Sequence, residues 1–330
     1  MPTERHPKKL IIQIPCLNEE QTLPQTLADL PRVVPGFDVV EWLVIDDGST
    51  DRTSEVAREH GVDHVVRHHR NRGLAAAFLT GLDAGLMAGA DVIVNTDADN
   101  QYRGQCIPLI TAPVVADECD IVVGERPIES VEEFSGLKKR LQRLGTWVVR
   151  KFSGTEILDA ASGFRAFNRE AALRLQVHGR YTYTMETLIQ AGAEGLTVKS
   201  VPIEVNPWTR PSRLVKSSAV YVRRSASTII RSYAVYRPFR FFATIAAVPG
   251  ALGTILLLRW LTYFFFADDY KSRLPGLLAA GGLMLVAVQI LMVAFLADLM
   301  AVSRRLLSEN RLAARRAAIE THLAGSAGGN

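Results

Sequence analysis

Hydrophobic and polar positions follow two alternating patterns along the first hundred residues. Apolar runs with the length of buried strands lie at 10–15, 39–47, 64–68 and 90–99. Segments with helical spacing separate them, at 19–30, 49–61 and 73–89. Ser49 or Thr50 is the expected cap of the second helix, and Gly61 its end. Strand and helix in this rhythm predict a mostly parallel sheet with helices on both faces.

Two long apolar stretches, 241–266 and 276–302, set the last third of the chain apart. A helix of about 20 residues crosses a bilayer, whereas buried helices of soluble proteins rarely keep more than about 14 apolar residues in a row. We therefore predict two transmembrane helices joined by the loop 267–273. Arginines cluster before the first stretch and after the second, and positively charged flanks stay in the cytoplasm.

The chain is thus expected to have four parts. They are an α/β domain (1–215), a basic juxtamembrane helix (216–240), a transmembrane hairpin (241–303) and a basic cytoplasmic tail (304–330). The amphipathic run 131–152 either packs on the domain or lies on the membrane surface. The net charge of +4 concentrates around the apolar stretches, which indicates anionic lipid rather than nucleic acid as the partner. Three cysteines without CxxC spacing indicate a reducing compartment and no zinc site.

Acidic and amide side chains follow three of the predicted strands, in PCLNEE, DDGSTD and TDADNQ. Ligands of parallel α/β sheets bind beyond the carboxyl ends of the strands, where all three segments fall. The first turn lacks the glycines of a dinucleotide-binding fold. Because carboxylates repel a nucleotide diphosphate unless a cation lies between them, the pattern predicts a divalent metal with oxygen ligands, Mg²⁺ or Mn²⁺.

Six motifs of the chain resemble, in the same order, those of family 2 glycosyltransferases. They are IPCLNEE, DDGSTD, RNRGLAAAF, TDADNQ, VGERP and DAASGFRAF. The resemblance is strongest to the polyprenyl-phosphate type, the dolichol-phosphate mannose synthase type, in the branch with two C-terminal transmembrane helices. It covers about 9–303 and implies a GT-A-type nucleotide-diphospho-sugar transferase domain followed by a two-helix transmembrane hairpin. The implied enzyme is inverting and moves a sugar from a nucleotide-diphosphate sugar to undecaprenyl or dolichyl phosphate. Its product, a lipid-phosphate-linked monosaccharide, would serve cell-envelope or protein glycosylation.

The same resemblance implies a role for individual residues. Contacts with the nucleotide sugar are expected from Pro15, Leu17, Glu19, Val44, Asp46, Asp97, Ala98, Arg126 and Arg210. The metal ligands would be Asp97, Asp99 and Gln101. The acceptor phosphate would be held by Ser162, Arg165 and Arg213. The catalytic set would be Asp99, Asp159 and Arg126, with Asp159 either a base or an orienting residue. Many relatives read DADLQHP where this chain reads DADNQYRG, which changes the contacts expected there.

The expected partners are a UDP-sugar, with a GDP-sugar as the alternative, polyprenyl phosphate and the lipid bilayer, with no nucleic acid. The protein would lie in the cell membrane with its catalytic domain on the cytoplasmic face, and the resemblance also implies association of several copies. One alternative is a processive polysaccharide synthase, although these carry a QxxRW motif and the RW here, Arg259-Trp260, follows LLL inside an apolar stretch. Another is a membrane-tethered protein that binds sugar nucleotides without catalysis.

Overall fold

The computed structural model describes residues 7–127, 136–177, 183–207, 218–266 and 274–327. The chain divides into two compact units. The first consists of Met1–Ile229 together with Leu312–Asn330, and the second of Ile230–Arg311.

The first unit is built on a sheet flanked by helices. Its strands are β1 (Lys9–Cys16), β2 (Val39–Asp46), β3 (His64–Arg67), β4 (Val92–Asn95), β5 (Ile121–Glu125), β6 (Arg165–Asn168) and β7 (Val198–Pro202). The helices of the chain are α1 (Leu23–Asp29), α2 (Thr53–Glu59), α3 (Leu74–Met87), α4 (Ile107–Val115), α5 (Gly136–Ser153), α6 (Arg169–Arg174), α7 (Thr184–Glu194), α8 (Ser218–Tyr236), α9 (Pro238–Phe266) and α10 (Leu274–Ala327).

The described strands form one sheet in the order β3-β2-β1-β4-β6-β5-β7. Only β6 runs against its neighbours β4 and β5, and the other paired strands are parallel. This arrangement confirms the predicted α/β class. The strand predicted over 90–99 is shorter than expected, because β4 ends at Asn95 and the chain turns immediately after Thr96. The turn after β4 therefore carries both carboxylates of TDADNQ.

Apolar side chains cover both faces of this sheet. Ile12, Ile14 and Val44 pack on one face with α1, α2 and α4. Ile11 and Leu43 point to the opposite face and pack with helices that include α3. Successive strand residues face opposite sides, and a sheet covered on both sides needs nearly continuous apolar strands. The run LIIQI meets this requirement.

Helix α2 begins differently from the prediction. Ser49 and Thr50 do not cap it, since its N-cap position is Arg52, without a side-chain bond. Asp51 takes over part of this task, because its Oδ1 accepts a hydrogen bond from Thr53 N at 3.1 Å. Gly61 follows the end of the helix with φ +72°, as expected of a helix-ending glycine.

Helix α5 falls within the amphipathic run predicted over 131–152, of which 131–135 lie outside the described residues. Thr146 and Val149 are buried in the first unit, whereas Trp147 and Arg150 lie on the exposed side. The described part of α5 therefore packs on the domain, and its exposed side is aromatic and basic.

Helices α9 and α10 contain the two predicted spans. Both are long and apolar enough to cross a membrane, and only 11% of the most apolar window of each is buried. Within the second unit they approach closely at small residues: a Cβ on Gly253 would lie 3.1 Å from the carbonyl oxygen of Ala280. Ala280, Ala287 and Ala294, spaced seven residues apart, are buried. The connecting loop, 267–273, lies outside the described residues.

The predicted tail, 304–330, is helical as far as Ala327, because α10 continues through it. Its end belongs to the first unit, where Ile319 is buried in the core that contains α3. Arg315 pairs with Asp83, and Arg316 pairs with Glu170. Apolar residues at helical spacing in this basic segment give it a side that can pack on the domain.

Candidate functional site

The loops after β1 and β2 are joined by side-chain hydrogen bonds. Asn18, at φ +57°, donates from its backbone N to Ser49 Oγ at 2.9 Å. Asn18 Oδ1 accepts from Thr50 N at 2.8 Å. Glu19 N donates to Thr53 Oγ1 at 2.9 Å. The segments PCLNEE and DDGSTD therefore form one cross-linked surface at the carboxyl ends of the two strands.

Asp47 fixes the loop that follows β3. Its carboxylate accepts from Arg72 N at 2.9 Å and Gly73 N at 2.8 Å, and lies 2.7 Å from Nδ1 of the buried His68. Gly48, at φ +77°, lies so close to this loop that a Cβ would be 2.6 Å from the carbonyl carbon of Arg70. The anchoring by Asp47 and His68 was not predicted. The sequence marks DDG and RNRG only as separate motifs, because their contact depends on the pairing of β2 with β3.

Asp97 and Asp99 lie together in the turn after β4, as predicted. Asp99 Oδ1 accepts from Gln101 N at 3.1 Å. The carboxylate of Asp97 faces Gly163, because a Cβ on that glycine would lie 3.2 and 3.3 Å from its two oxygens. The fold therefore brings TDADNQ and DAASGFR together.

Electrostatics at this turn disfavour two ionised carboxylates in the protein alone. Burial, and next the neighbouring Asp99, raises the pKa of Asp97 to about 7, while Arg126 and Arg165 act in the opposite direction. A divalent cation between the carboxylates would favour their ionised forms.

The donor set fits a cation that is shared with a ligand. Among the described residues, no group of three or more His, Cys, Asp or Glu side chains could hold a metal. Mg²⁺ and Mn²⁺ need only one or two carboxylates when phosphates supply the other oxygens, and the turn presents two. Within it, Asn100 has φ +55° and a buried Oδ1 without a hydrogen-bond partner. Asp97 and Asp99 are the residues that would hold the metal.

Arg126 and Asp159 form a bidentate ion pair. Arg126 Nε donates to Asp159 Oδ2 at 2.7 Å, and its Nη2 donates to Oδ1 at 3.1 Å. Asp159 is fully buried, and its Oδ1 also accepts from Ala161 N at 3.2 Å. Both oxygens of the Asp159 carboxylate are thus engaged within the protein, which favours the orienting role for Asp159 over that of a base.

Arg165 is completely buried beneath the loop that carries Asp159 and Ser162. Its guanidinium donates to the carbonyl oxygens of Ser162 at 2.9 Å and Ala160 at 3.1 Å, and to Thr187 Oγ1 at 2.8 Å. Burial lowers the pKa of Arg165 to about 10, so it stays charged at neutral pH. In this structure it supports the loop from inside and does not offer its fork to a ligand. Ser162 is fully buried as well.

The residues expected at the nucleotide differ in how far they are exposed. Leu17 is 37% exposed, and Glu19 is half-buried at the same edge. Val44 lies wholly in the core, and Asp46 is buried with its oxygens bonded to Ser49 N at 2.7 Å and Ser54 Oγ at 2.5 Å. Neither Val44 nor Asp46 is open to a nucleotide here, because Val44 packs within the sheet and Asp46 stabilises its own loop.

The remaining expected residues complete this comparison. Pro15 is buried near the end of β1, Ala98 is buried in the turn after β4, and Gln101 is half-buried. Arg210 and Arg213 lie outside the described residues.

The residues that depart from the DADLQHP pattern make packing contacts and hydrogen bonds within the domain. Tyr102 is buried, stacks on Phe164 at 5.0 Å and accepts a hydrogen bond at Oη from Gly163 N at 3.1 Å. Arg103 Nε donates to Asn206 Oδ1 at 3.1 Å. Gly104 allows an approach that a Cβ would block, 2.1 Å from Asp29 O. Sequence reasoning did not assign Tyr102, although its replacement of the histidine marked the position.

Comparison with known proteins identifies the family. The model of glycosyl transferase family 2 matches residues 11–175, half of the chain. The chain belongs to this family. It is a glycosyltransferase.

Named relatives extend this comparison. UDP-N-acetylglucosamine–dolichyl-phosphate N-acetylglucosaminyltransferase of Methanococcus voltae is 29% identical, over 60% of this chain and 85% of the relative. Polyprenol monophosphomannose synthase of Mycolicibacterium smegmatis is 29% identical, over 61% of this chain and 78% of the relative. Glucosyl-3-phosphoglycerate synthase from Mycobacterium tuberculosis, solved with Mn²⁺, UDP-glucose and phosphoglyceric acid, shares the fold with a TM-score of 0.55 and 21% identity, over 69% of this chain and 80% of that chain.

Proposed function

We propose that this glycosyltransferase moves a sugar from a nucleotide-diphosphate sugar to a polyprenyl phosphate, with inversion at the anomeric carbon and with Mg²⁺ or Mn²⁺. The observation that carries the proposal is the meeting of the Asp97–Asp99 turn with Gly163 of DAASGFR. The first motif suits a metal-bound diphosphate. The second is the one that the family resemblance gives to the acceptor phosphate.

The acceptor class is supported by two independent features. Two of the named relatives act, by their names, on dolichyl phosphate or make polyprenol monophosphomannose. Two helices of this chain are long and apolar enough to cross a membrane. A lipid phosphate presents its charge at the headgroup level, so a membrane-bound enzyme meets it there. We place the catalytic unit on the cytoplasmic face of the cell membrane.

The proposed step needs no strong base. An oxygen of the acceptor phosphate attacks the anomeric carbon, the bond from that carbon to the nucleotide diphosphate breaks, and the electron pair leaves with the diphosphate. A phosphate monoester has a second pKa of about 6 and is already largely ionised at neutral pH. The ion pair of Asp159 with Arg126 agrees with this, since a paired carboxylate can hold the acceptor loop without taking a proton.

Charge at the leaving diphosphate is the main demand on the site. A bound Mg²⁺ or Mn²⁺ would neutralise part of it. Asp97 and Asp99 would hold that cation, and Arg126, Arg210 and Arg213 are the arginines we assign to the phosphates. Leu17 and Glu19 at the open edge would contact the nucleotide. We favour a UDP-sugar as the donor, with a GDP-sugar as the alternative.

A donor and acceptor panel tests the proposal. Membranes containing the protein are incubated with radiolabelled UDP- and GDP-sugars, with and without added polyprenyl phosphate, and the lipid fraction is counted. We expect label in the lipid fraction only when three conditions are met: the donor belongs to one nucleotide class, polyprenyl phosphate is added, and a divalent cation is present. Asp99→Asn, which keeps the side-chain volume but loses the anionic oxygen, should abolish the transfer while the protein stays folded. Near-full activity of Asp99→Asn with Mg²⁺ or Mn²⁺ would contradict the metal assignment.

A further inference from the structure

The backbone of Gly163 is held by hydrogen bonds at both its N and its carbonyl oxygen. Its N donates to Tyr102 Oη at 3.1 Å. Its carbonyl oxygen accepts from Asn95 Nδ2 at 2.9 Å and from Tyr183 Oη at 3.3 Å. Asn95 Nδ2 also donates to Tyr183 Oη at 2.8 Å, which connects the two donors. Gly163 therefore has a fixed position between β4 and α7.

Ring stacking fixes the two tyrosines that hold it. Tyr102 stacks on Phe164 with 5.0 Å between ring centroids and 10° between planes. Tyr183 stacks on Phe78 at 3.9 Å and 3°. Both tyrosines are almost completely buried. Their hydroxyls are thus aimed by packed rings, which leaves little freedom for Gly163 to shift.

Gly163 in turn borders the carboxylate of Asp97. The position of a Cβ on Gly163 lies 3.2 and 3.3 Å from the two carboxylate oxygens, and 2.9 Å from Tyr183 Oη. A Cβ at this position would displace the Tyr183 hydroxyl and crowd the Asp97 carboxylate. The direction of this carboxylate therefore depends on where Gly163 is held.

We infer that Tyr102 and Tyr183 are positioning residues for the metal site, because they hold Gly163 as the wall against which the Asp97 carboxylate is oriented. The inference rests on the proposed function only in its assignment of Asp97 to the metal. It gives the replacement of histidine by tyrosine in DADNQYRG a role: the Tyr102 hydroxyl links the metal turn to the acceptor motif.

A measurement of Mn²⁺ binding tests this inference without sugar transfer. The purified full-length protein is titrated with Mn²⁺ in the presence of UDP, and binding is monitored by electron paramagnetic resonance. Tyr102→Phe keeps the stacked ring and removes only the hydroxyl. We expect Mn²⁺ affinity to fall by roughly threefold to tenfold, the range that corresponds to one lost hydrogen bond. Gly163→Ala should reduce it further, because its Cβ meets the carboxylate. Tyr263→Phe, on α9, is the matched control and should leave the affinity unchanged.

Activity gives a second readout. In Tyr102→Phe the Mn²⁺ concentration for half-maximal transfer should rise, while the rate at saturating Mn²⁺ returns close to that of the wild type. Thermal unfolding confirms that each variant is folded, and Tyr183→Phe replaces Tyr102→Phe should the latter not fold. Unchanged Mn²⁺ affinity in folded Tyr102→Phe and Gly163→Ala would overturn the inference. Tight Mn²⁺ binding by a wild type that transfers no sugar to polyprenyl phosphate would overturn only the proposed function.

Discussion

Single residues at the sheet edge show how far the sequence determines the site. Two carboxylates after an apolar strand predicted the placement of Asp97 and Asp99, because strand ends in a parallel sheet share one edge. Arg165 could not be placed in the same way. Its motif marks the acceptor loop, but only the packing of α7 against that loop buries the guanidinium beside Thr187. A sequence motif indicates which residues gather, whereas the packed neighbours decide which of them face a ligand.

The first prediction concerns protonation of Asp97. Its folded-state pKa of about 7, raised by burial and then by Asp99 and Glu19 against Arg126 and Arg165, exceeds the value of about 4 in an unfolded chain. A raised acid pKa contributes stability that is complete below pH 4 and is lost as the pH rises through 7. Ionisation of Asp97 should therefore lower the free energy of unfolding of the metal-free protein from pH 5 to pH 8. In Asp97→Asn, this contribution to the pH dependence of the unfolding free energy should be absent.

The metal reverses this dependence, because it binds the ionised form and displaces the proton. Mn²⁺ affinity of the wild type should thus rise from pH 6 to pH 8. Denaturant unfolding and Mn²⁺ titration at three pH values measure both effects. An Mn²⁺ affinity that stays constant over this range would contradict the assignment of Asp97 as a ligand.

The second prediction concerns the buried pair of Arg126 and Asp159. Arg126→Ala leaves a buried carboxylate without its cation and should cost about 3–5 kcal/mol of unfolding free energy. The double variant Arg126→Ala with Asp159→Ala removes both charges and should be less destabilised than the sum of the two single changes. A double-mutant cycle by denaturant unfolding gives the coupling. Additive single and double changes would mean that the pair contributes no coupling.

At the scale of elements, the predicted strands and helices of the first hundred residues all exist, with altered ends. β4 is short because the turn that carries Asp97 and Asp99 begins after Asn95. α2 starts at Thr53, and the Ser49 hydroxyl, which was the expected cap, instead accepts a hydrogen bond from Asn18 N in the loop after β1. The end of α10 was predicted as a basic tail, since its arginines suggested lipid contact. Its partners, Asp83 and Glu170, are far away in sequence, so local pattern could not reveal the packing.

The third prediction tests the end of α10. Ile319 is 2% exposed in the core of the first unit, and Ile319→Ala should destabilise that unit by about 2–5 kcal/mol. The exposed neighbour Glu320 serves as the control, and Glu320→Ala should change stability by less than about 0.5 kcal/mol. The two variants are compared by urea unfolding of the detergent-solubilised protein, monitored by a spectroscopic signal that comes from the first unit. Equal effects would show that the segment does not pack as described.

At the scale of the whole molecule, the length of the apolar stretches predicted two membrane-crossing helices, and the structure contains two helices of that length and composition. The orientation indicated by the arginines stays a prediction. The division of the chain was harder to predict. The first unit includes Leu312–Asn330, which follow the second apolar helix, so sequence order alone does not define it. Association of several copies stays a prediction.

The fourth prediction is the topology. Single cysteines at positions 120, 270 and 325, in a variant without the three native cysteines, are treated with a membrane-impermeant thiol reagent. Position 270 should react from outside the cell, and positions 120 and 325 only after the membrane is opened. Labelling of 120 and 325 from opposite sides would mean that one of the two helices does not cross.

The nucleotide product of the purified enzyme tests the central claim most directly. The protein is incubated with its sugar nucleotide, polyprenyl phosphate and Mn²⁺, and nucleotide and lipid products are quantified by mass spectrometry. Attack of the lipid phosphate on the anomeric carbon predicts one nucleoside diphosphate released for each lipid that gains a sugar through a single phosphate, with no reaction in Asp99→Asn. Release of a nucleoside monophosphate with a diphosphate-linked lipid, or sugar transfer that is independent of the lipid phosphate, would contradict the account.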